Sequence, residues 1–136
     1  MLTDPSGSQI YEGWFKNGAF HGKGRTIWED GEIYIGNYLN NQKSGYGKET
    51  YTSGDKYTGS FLHDKRHGHG VYQSKDGALY SGEFKDGKRH GFGTAKLASG
   101  VKMVGQFAED KVNGYCTVFH LNGDKKLCQF VDGKPV

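Results

Sequence analysis

The stretch Tyr80-Ser81-Gly82-Glu83-Phe84-Lys85-Asp86-Gly87-Lys88-Arg89-His90-Gly91-Phe92-Gly93 contains the pattern that decides the fold of this chain. Its first tyrosine recurs every 23 residues, at positions 11, 34, 57 and 80, and Met103 takes the next place. Two residues later come Gly13, Gly36, Gly59, Gly82 and Gly105. An aromatic residue follows two positions after each of these five glycines. The frame continues to Phe130 without insertion or deletion, which indicates an array of repeats.

Each repeat predicts a β-hairpin. The Tyr-x-Gly-x-aromatic segment alternates with a period of two, the side-chain period of a strand. Residues that tolerate positive φ then mark a tight turn, at Asn17-Gly18, Asn40-Asn41, His63-Asp64, Asp86-Gly87 and Glu109-Asp110. A Gly-x-Gly segment starts the return strand, and a second turn such as Asp76-Gly77 leads to the next repeat. We therefore predict an all-β fold, an elongated single-layer antiparallel hairpin solenoid of about five and a half repeats, with little or no helix.

Glycine inside a strand costs conformational entropy, so its recurrence needs a reason. We expect each glycine to leave room for a neighbouring ring to lie flat against the backbone. Replacing Gly59 or Gly82 by valine is then expected to destabilise the fold. In a turn, by contrast, Asp64→Gly is expected to be nearly neutral or favourable.

The bulk composition fits one thin domain. The chain has 136 residues, of which 34% are hydrophobic and 14% aromatic, and it has 23 glycines. This balance favours rings packed on a thin sheet over a thick aliphatic core. We predict a lead-in or cap over residues 1–9 and an array over residues 10–136, with repeats starting near residues 11, 34, 57, 80 and 103 and a half-repeat at 126.

The terminal sequence and the cysteines bear on the cellular compartment. The polar N-terminal residues contain neither a secretory signal nor a membrane span. Cys116 and Cys128 are too few for a disulfide framework. We predict free thiols and a cytoplasmic protein, with association to the cytoskeleton or to a membrane left open. The net charge of +3 permits acidic partners but is far from that of a dedicated nucleic-acid binder, so no nucleic acid is expected.

Candidate chemical motifs fail on spacing. His21, His67 and His90 share one place in the repeat, which puts them at least about 10 Å apart, whereas the ligands of one metal ion lie about 2 Å from it. Residues 37–44 end in Lys-Ser, but a phosphate-binding loop would need glycine at Asn37 and Gln42. No Gly-x-Ser-x-Gly nucleophile motif occurs. We predict no metal, no cofactor and no enzymatic activity.

Two surfaces are candidates for binding. A single-layer sheet leaves one face of its rings partly open, and such a groove suits a peptide or helix from a partner protein. The residues predicted to contact this partner are Trp14, Phe20, Trp28, Tyr34, Tyr57, Tyr80 and Phe92. A basic stripe at the hairpin turns is predicted to contact acidic phospholipids or an acidic protein. It comprises Lys43, Lys65, Arg66, Lys88, Arg89 and Lys111, although lysines at such places also simply protect sheet edges.

The C-terminal half-repeat predicts self-association. It is apolar and has no evident return strand, and natural sheets rarely leave such an edge open. An uncovered cluster is predicted to form a homodimer through the C-terminal end, using Phe119, Leu121, Leu127, Phe130 and Val131.

The repeat closely resembles a known family. Residues 11–18 and 80–93 are similar to the MORN repeat (membrane occupation and recognition nexus), and the resemblance spans about residues 10–133. Departures fall near the C-terminal end, at Met103, Cys116, Lys126 and Cys128. The resemblance implies a hairpin solenoid that serves as a scaffold for proteins or phosphoinositides. We therefore predict a protein-interaction scaffold, with a peripheral adaptor for acidic phospholipids and a regulatory or targeting segment of a larger enzyme as the alternatives.

Overall fold

One antiparallel sheet contains every strand that the structure describes. The computed structural model describes residues 2–3 and 8–136, and those residues form strands and turns without helix. The order of the thirteen strands in the sheet is their order along the chain, which confirms the predicted single-layer hairpin solenoid. The strands are β1 (Leu2–Thr3), β2 (Gln9–Lys16), β3 (Ala19–Trp28), β4 (Ile33–Leu39), β5 (Gln42–Thr50), β6 (Lys56–Leu62), β7 (Lys65–Gln73), β8 (Leu79–Lys85), β9 (Lys88–Lys96), β10 (Lys102–Ala108), β11 (Lys111–Phe119), β12 (Lys125–Val131) and β13 (Lys134–Pro135).

Both predicted turns form in each full repeat. Between β8 and β9 the two turn residues adopt positive φ, 51° at Asp86 and 84° at Gly87, as a tight hairpin turn requires. Between β7 and β8 the amide of Gly77 donates to the carbonyl of Ser74 at 3.1 Å, and Gly77 has φ of 99°. The side chain of Asp76 stabilises this second turn by accepting a hydrogen bond from the amide of Ala78 at 3.2 Å.

The core consists of aromatic rings on one face of the sheet. Tyr11, Tyr34 and Tyr57 are completely buried and Tyr80 nearly so, and we call the face that bears them the tyrosine face. Side chains alternate between the faces along a strand, so the neighbouring residues point to the opposite face. The ring of Tyr57 contacts Phe61 of its own repeat and Phe84 of the next, each edge to face at 5.1 Å. The same geometry recurs at Tyr34 and Tyr80 and links the repeats into one continuous row of rings.

The strand glycines make this row possible. A Cβ atom at Gly70 would lie 2.5 Å from Cε1 of the Tyr57 ring. At Gly82 it would lie 2.5 Å from Cα of Gly93 and 2.7 Å from Oη of Tyr80. No side chain fits at such distances, so the predicted reason for the glycines, room for a ring against the backbone, is confirmed.

The departures near the C-terminal end compensate one another. Met103 stands where the other repeats have a tyrosine. The residue that a tyrosine ring would cover there is Cys116, which stands where the other repeats have the second glycine of Gly-x-Gly. Cys116 is buried, with 1% of its surface exposed. It pairs across β11 and β12 with Cys128, and both are free thiols in the structure.

Neighbouring turns of the hairpins are hydrogen-bonded to one another. The amide of Lys43 donates to Oδ1 of Asp64 at 2.8 Å, and the amide of Asp64 donates to the carbonyl of Lys43 at 3.1 Å. Asn41 and Asp110 accept the same side-chain hydrogen bond from the amides of Phe20 and Arg89, each at 2.8 Å. The side chain at this turn position therefore connects one repeat to the repeat before it.

This bond reverses the sequence-based expectation for Asp64→Gly. Glycine suits the φ of 69° at Asp64, but it removes the acceptor for the Lys43 amide, and that loss is expected to lower the free energy of unfolding by about 1 kcal/mol. Asp64→Asn is the matched control because Asn41 makes the bond in the preceding turn. Urea denaturation of both variants checks the prediction, and a Gly variant at least as stable as the Asn variant would contradict it.

Each end of the sheet has a short pairing strand. At the N-terminal end β1 pairs with β2, Leu2 opposite Tyr11 and Thr3 opposite Ile10. Pro5 and Gly7, which the sequence analysis places in the cap, lie outside the described residues. At the C-terminal end β13 pairs with β12 at Phe130 and Val131. The expectation that the half-repeat has no return strand is therefore wrong for these two residues.

Candidate binding surfaces

A second layer of side chains covers the core tyrosines. The ring of Phe20 stacks on Tyr11 with centroids 3.8 Å apart and an angle of 9°. In the next three repeats a cation takes this place, with Lys43 5.6 Å from Tyr34, Arg66 5.8 Å from Tyr57 and Arg89 5.7 Å from Tyr80. The expected open groove of tyrosines is therefore not what the structure shows: Tyr34, Tyr57 and Tyr80 are buried under these side chains.

The other predicted partner-binding aromatics lie on both faces. Phe20 and Trp28 are half-buried against the core on the tyrosine face. Trp14 and Phe92 are exposed, by 73% and 67%, on the opposite face. The structure thus does not bring the seven predicted residues together in one groove.

The predicted basic stripe divides in the same way. Successive residues of a strand point to opposite faces, so a step of one residue changes the face. Lys43, Arg66 and Arg89 lie over rings on the tyrosine face. The remaining three, Lys65, Lys88 and Lys111, are each the first residue of a strand, one position before the cation place in the repeat. They are exposed on the opposite face. All six adjoin the hairpin turns, as the predicted stripe requires, but three point to each face of the sheet, and whether they bind acidic phospholipids or an acidic protein stays a prediction.

The three cations over the core differ in their charge partners. Lys43 forms an ion pair with Glu49, and both side chains are largely buried. Nε of Arg89 lies 3.4 Å from Oδ1 of Asp110. Arg66 forms no ion pair with any residue that the structure describes. Its guanidinium instead lies 5.0 Å from the ring centroid of Tyr72 and 5.6 Å from that of Phe84.

A depression of about 360 Å³ separates Arg66 from Arg89 on the tyrosine face. It exists because Ala95 occupies the place that Tyr72 and Glu49 fill in the two preceding repeats. Cations, rings, aliphatic groups and one carboxylate line it together, among them Arg66, Tyr72, Arg89, Ala95, Leu97 and Asp110, the last of these paired with Arg89. We call this depression the Arg66–Arg89 groove.

The core phenols serve as hydrogen-bond donors. Burial raises the pKa of Tyr57 and of Tyr80 to about 12. Burial also raises the pKa of Tyr72 to about 12, and its hydroxyl donates to Oδ2 of Asp55 at 2.7 Å. The hydroxyl of Tyr57 donates to the carbonyl of Ser60 at 2.8 Å. These groups are protonated and occupied at neutral pH, which suits a structural role.

Aromatic side chains also line the opposite face. Tyr46, Phe92 and Tyr115 each lie between the two positions of a Gly-x-Gly motif and are exposed by 63%, 67% and 63%. Sequence reasoning did not select Tyr46. Its place next to Gly47, which faces the buried ring of Tyr34, could have identified it, because alternation puts it on the outer face.

The residues predicted for self-association do not form one cluster. Phe130 is on the tyrosine face, whereas Leu127 and Val131 alternate with it and point to the opposite face. Leu121 lies in the turn after β11, and the ring of Phe119 contacts Nζ of Lys102 at 5.1 Å. The prediction of a single apolar patch is therefore wrong.

The described residues, 2–3 and 8–136, contain neither a group of metal-ligand side chains nor a membrane-spanning helix. No three His, Cys, Asp or Glu side chains among them are grouped as a metal ion would require. None of them belongs to a helix that could cross a membrane.

Comparison with known proteins gives one family and a structural likeness. A family model described as MORN repeat matches residues 11–33, 34–56, 57–79 and 80–102. No curated protein matches the chain. Among solved structures, the chain is similar to the TCP domain of SAS-4 (dCPAP) of Drosophila melanogaster, solved in complex with a proline-rich motif of Ana2 (dSTIL). The identity is 13% over 78% of this chain and 71% of that chain, with a TM-score of 0.44.

Proposed function

The chain belongs to the MORN repeat family, a non-enzymatic interaction repeat, and we propose that it is a scaffold that binds a partner protein along the tyrosine face. MORN repeats are generally modules for interaction with proteins or membranes. The observation that carries the choice of a protein and of this face is the Arg66–Arg89 groove.

The lining of the groove favours a protein ligand. Binding hot spots are enriched in arginine and tyrosine, and they lie in pockets that exclude water around a few anchors. Here Arg66 and Arg89 are held over rings, so little side-chain freedom remains to be lost when a partner binds. Leu97, exposed by 45%, adds an apolar contact at the rim.

A photo-crosslinking residue placed on either face tests this proposal. We would insert p-benzoylphenylalanine at Leu97, in the groove, or at Val71, on the opposite face, and expose each protein to extract of the source cells. The two positions are comparably exposed, at 45% and 36%. We expect a protein adduct from position 97 and much less from position 71. Adducts from position 71 alone, or from neither position, would contradict the proposal.

A second candidate function, contact with anionic phospholipids, is favoured by the opposite face. Lys65, Lys88 and Lys111 repeat there with the period of the array, and Phe92 and Tyr115 are exposed on the same face. Lysines beside exposed rings suit a membrane surface. Flotation with phosphatidylserine vesicles tests this function, and binding that is lost on Phe92→Ala, with Val71→Ala as the control, would support it over the protein partner.

The outer edge of β12 is the basis for a proposed homodimer. In the described sheet β13 covers only Phe130 and Val131, so Lys125–Cys128 offers backbone groups for pairing with the same edge of a second copy. Light scattering at micromolar concentration is expected to give twice the chain mass of 15.1 kDa. A mass of 15.1 kDa at every concentration would contradict the dimer.

A further inference from the structure

The cations over the core tyrosines have two sources of carboxylate within the array. One is the residue six positions later in the same repeat, as Glu49 is for Lys43. The other is the turn residue of the next hairpin, 21 positions later, as Asp110 is for Arg89. The fold thus provides two fixed places from which a negative charge reaches each cation.

For Arg66, the residues at both of these places are uncharged. Tyr72 stands six positions after it and Gly87 stands 21 positions after it. Among the residues that the structure describes, no carboxylate forms an ion pair with Arg66. Its guanidinium lies within 6 Å of four ring centroids, those of Tyr51, Tyr57, Tyr72 and Phe84. A partly dehydrated charge without a directly paired carboxylate favours an external anion.

We propose that Arg66 binds the carboxylate of an aspartate or glutamate in an acidic segment of the partner protein, seated in the Arg66–Arg89 groove. This inference rests on the proposed function and specifies its ligand. Arg89 lies across the groove, and Ala95 and Leu97 offer an apolar surface beside it, so an aliphatic neighbour of the acidic residue packs there. A guanidinium presents paired donors that match a planar carboxylate.

A peptide carboxylate fits these observations better than a lipid phosphate. The array itself satisfies the two equivalent cations with carboxylates, so the geometry around this place in the repeat accommodates that group. The apolar part of the groove suits a side chain next to the anion, whereas the lysines suited to a headgroup layer lie on the opposite face.

Three variants isolate the contribution of Arg66. Arg66→Gln removes its charge. Lys65→Gln is the matched control, because it removes the same charge from the adjacent residue on the opposite face, and Gln42 is found at that place one repeat earlier. Gly87→Asp supplies the missing internal carboxylate. Its backbone is suitable, since Gly87 has φ of 84° and the equivalent Asp64 and Asp110 have 69° and 70°.

The probe is a phage-displayed library of random dodecapeptides, selected on the immobilised full chain. The most enriched peptide is then synthesised with a fluorescent label, and its affinity for the wild type and the three variants is measured by anisotropy. We expect enrichment of Asp or Glu next to an aliphatic residue. Arg66→Gln and Gly87→Asp are each expected to weaken binding roughly tenfold, with Lys65→Gln close to the wild type. The melting temperature of each variant is measured to confirm that it folds.

The results that would overturn the carboxylate site at Arg66 differ from those that would overturn the scaffold function. Enriched peptides without an acidic residue, or with equal affinity for Arg66→Gln and the wild type, would overturn the proposal, while adducts at position 97 would still support the scaffold function. A library without enrichment would also overturn it. So would phosphatidylserine vesicles that bind through Arg66 when no peptide does, an outcome that would assign the site to a phospholipid.

Discussion

Replacement of Gly93 by cysteine is expected to lower the free energy of unfolding by about 3 kcal/mol. A Cβ atom at Gly93 would lie 2.5 Å from Cε2 and 2.6 Å from Cζ of the Tyr80 ring, which is buried and cannot move aside. The cost arises from the ring and not from the backbone, since the three atoms nearest this Cβ all belong to the Tyr80 side chain.

The same substitution is expected to be tolerated far better when Tyr80 is replaced by methionine. The chain provides the template one repeat later, where Met103 and Cys116 occupy the two corresponding positions. Tyr80→Met alone removes a buried ring and is expected to cost about 2 kcal/mol. Combined with Gly93→Cys, it is expected to give a favourable coupling of about 1–3 kcal/mol.

A double-mutant cycle by denaturant unfolding measures this coupling. The control is Thr94→Cys, which introduces the same side chain at the next residue on the opposite face and is expected to change stability little, with or without Tyr80→Met. Additive costs for Gly93→Cys and Tyr80→Met, within about 0.5 kcal/mol, would contradict the view that the ring and the glycine form one packing unit.

The second large effect is cooperative unfolding as the pH rises from 10 to 12. Burial raises the pKa of Tyr38, Tyr57 and Tyr80 from 10.0 to about 12 in the folded chain. Below pH 10 these phenols are protonated in both states, so their contribution is constant. Above pH 10 only the unfolded chain loses the protons, and stability falls until the pH reaches the folded value.

The size of the effect follows from the number of tyrosines. A difference of one bound proton between the folded and the unfolded chain changes the free energy of unfolding by about 1.4 kcal/mol per pH unit. Three such tyrosines therefore give about 4 kcal/mol per pH unit. Over the two pH units the loss amounts to about 8 kcal/mol, which is most or all of the stability of an ordinary domain, about 5–15 kcal/mol.

Circular dichroism and the ultraviolet absorbance of tyrosinate measure the two sides of this transition. We expect the strand signal to disappear as the tyrosinate signal of the core appears, in one step. The variant Tyr46→Phe with Tyr115→Phe, which removes two exposed phenols, is expected to unfold at the same pH. A strand signal that survives beyond pH 12 while tyrosinate accumulates would contradict the prediction.

The sequence was sufficient to predict whatever depends on local pattern. The period of two and the turn residues fix the hairpins, and the fixed spacing from Tyr11 to Phe130 fixes the strand order. The fit of rings over glycines was also predictable, because a strand glycine without another purpose indicates close approach.

The arrangement of the candidate surfaces was harder to predict from the sequence. Lys65 and Arg66 are adjacent in sequence, yet they point to opposite faces, so a stripe drawn from proximity mixes two surfaces. The burial of Tyr34 and Tyr57 depends on Lys43 and Arg66 lying over them, and cations are not expected to form part of a core. The compensation between Met103 and Cys116 becomes evident only when the ring and the glycine are known to touch.

The strand order also has a mechanical consequence. Each described strand is bonded to its neighbours in sequence, so force applied at the two ends of the chain separates one hairpin at a time. The remaining hairpins keep their pairing while one opens, as expected for a quasi-one-dimensional array. Under tension the protein therefore lengthens in steps of one repeat, and its folded remainder provides the edge on which the released segment can pair again.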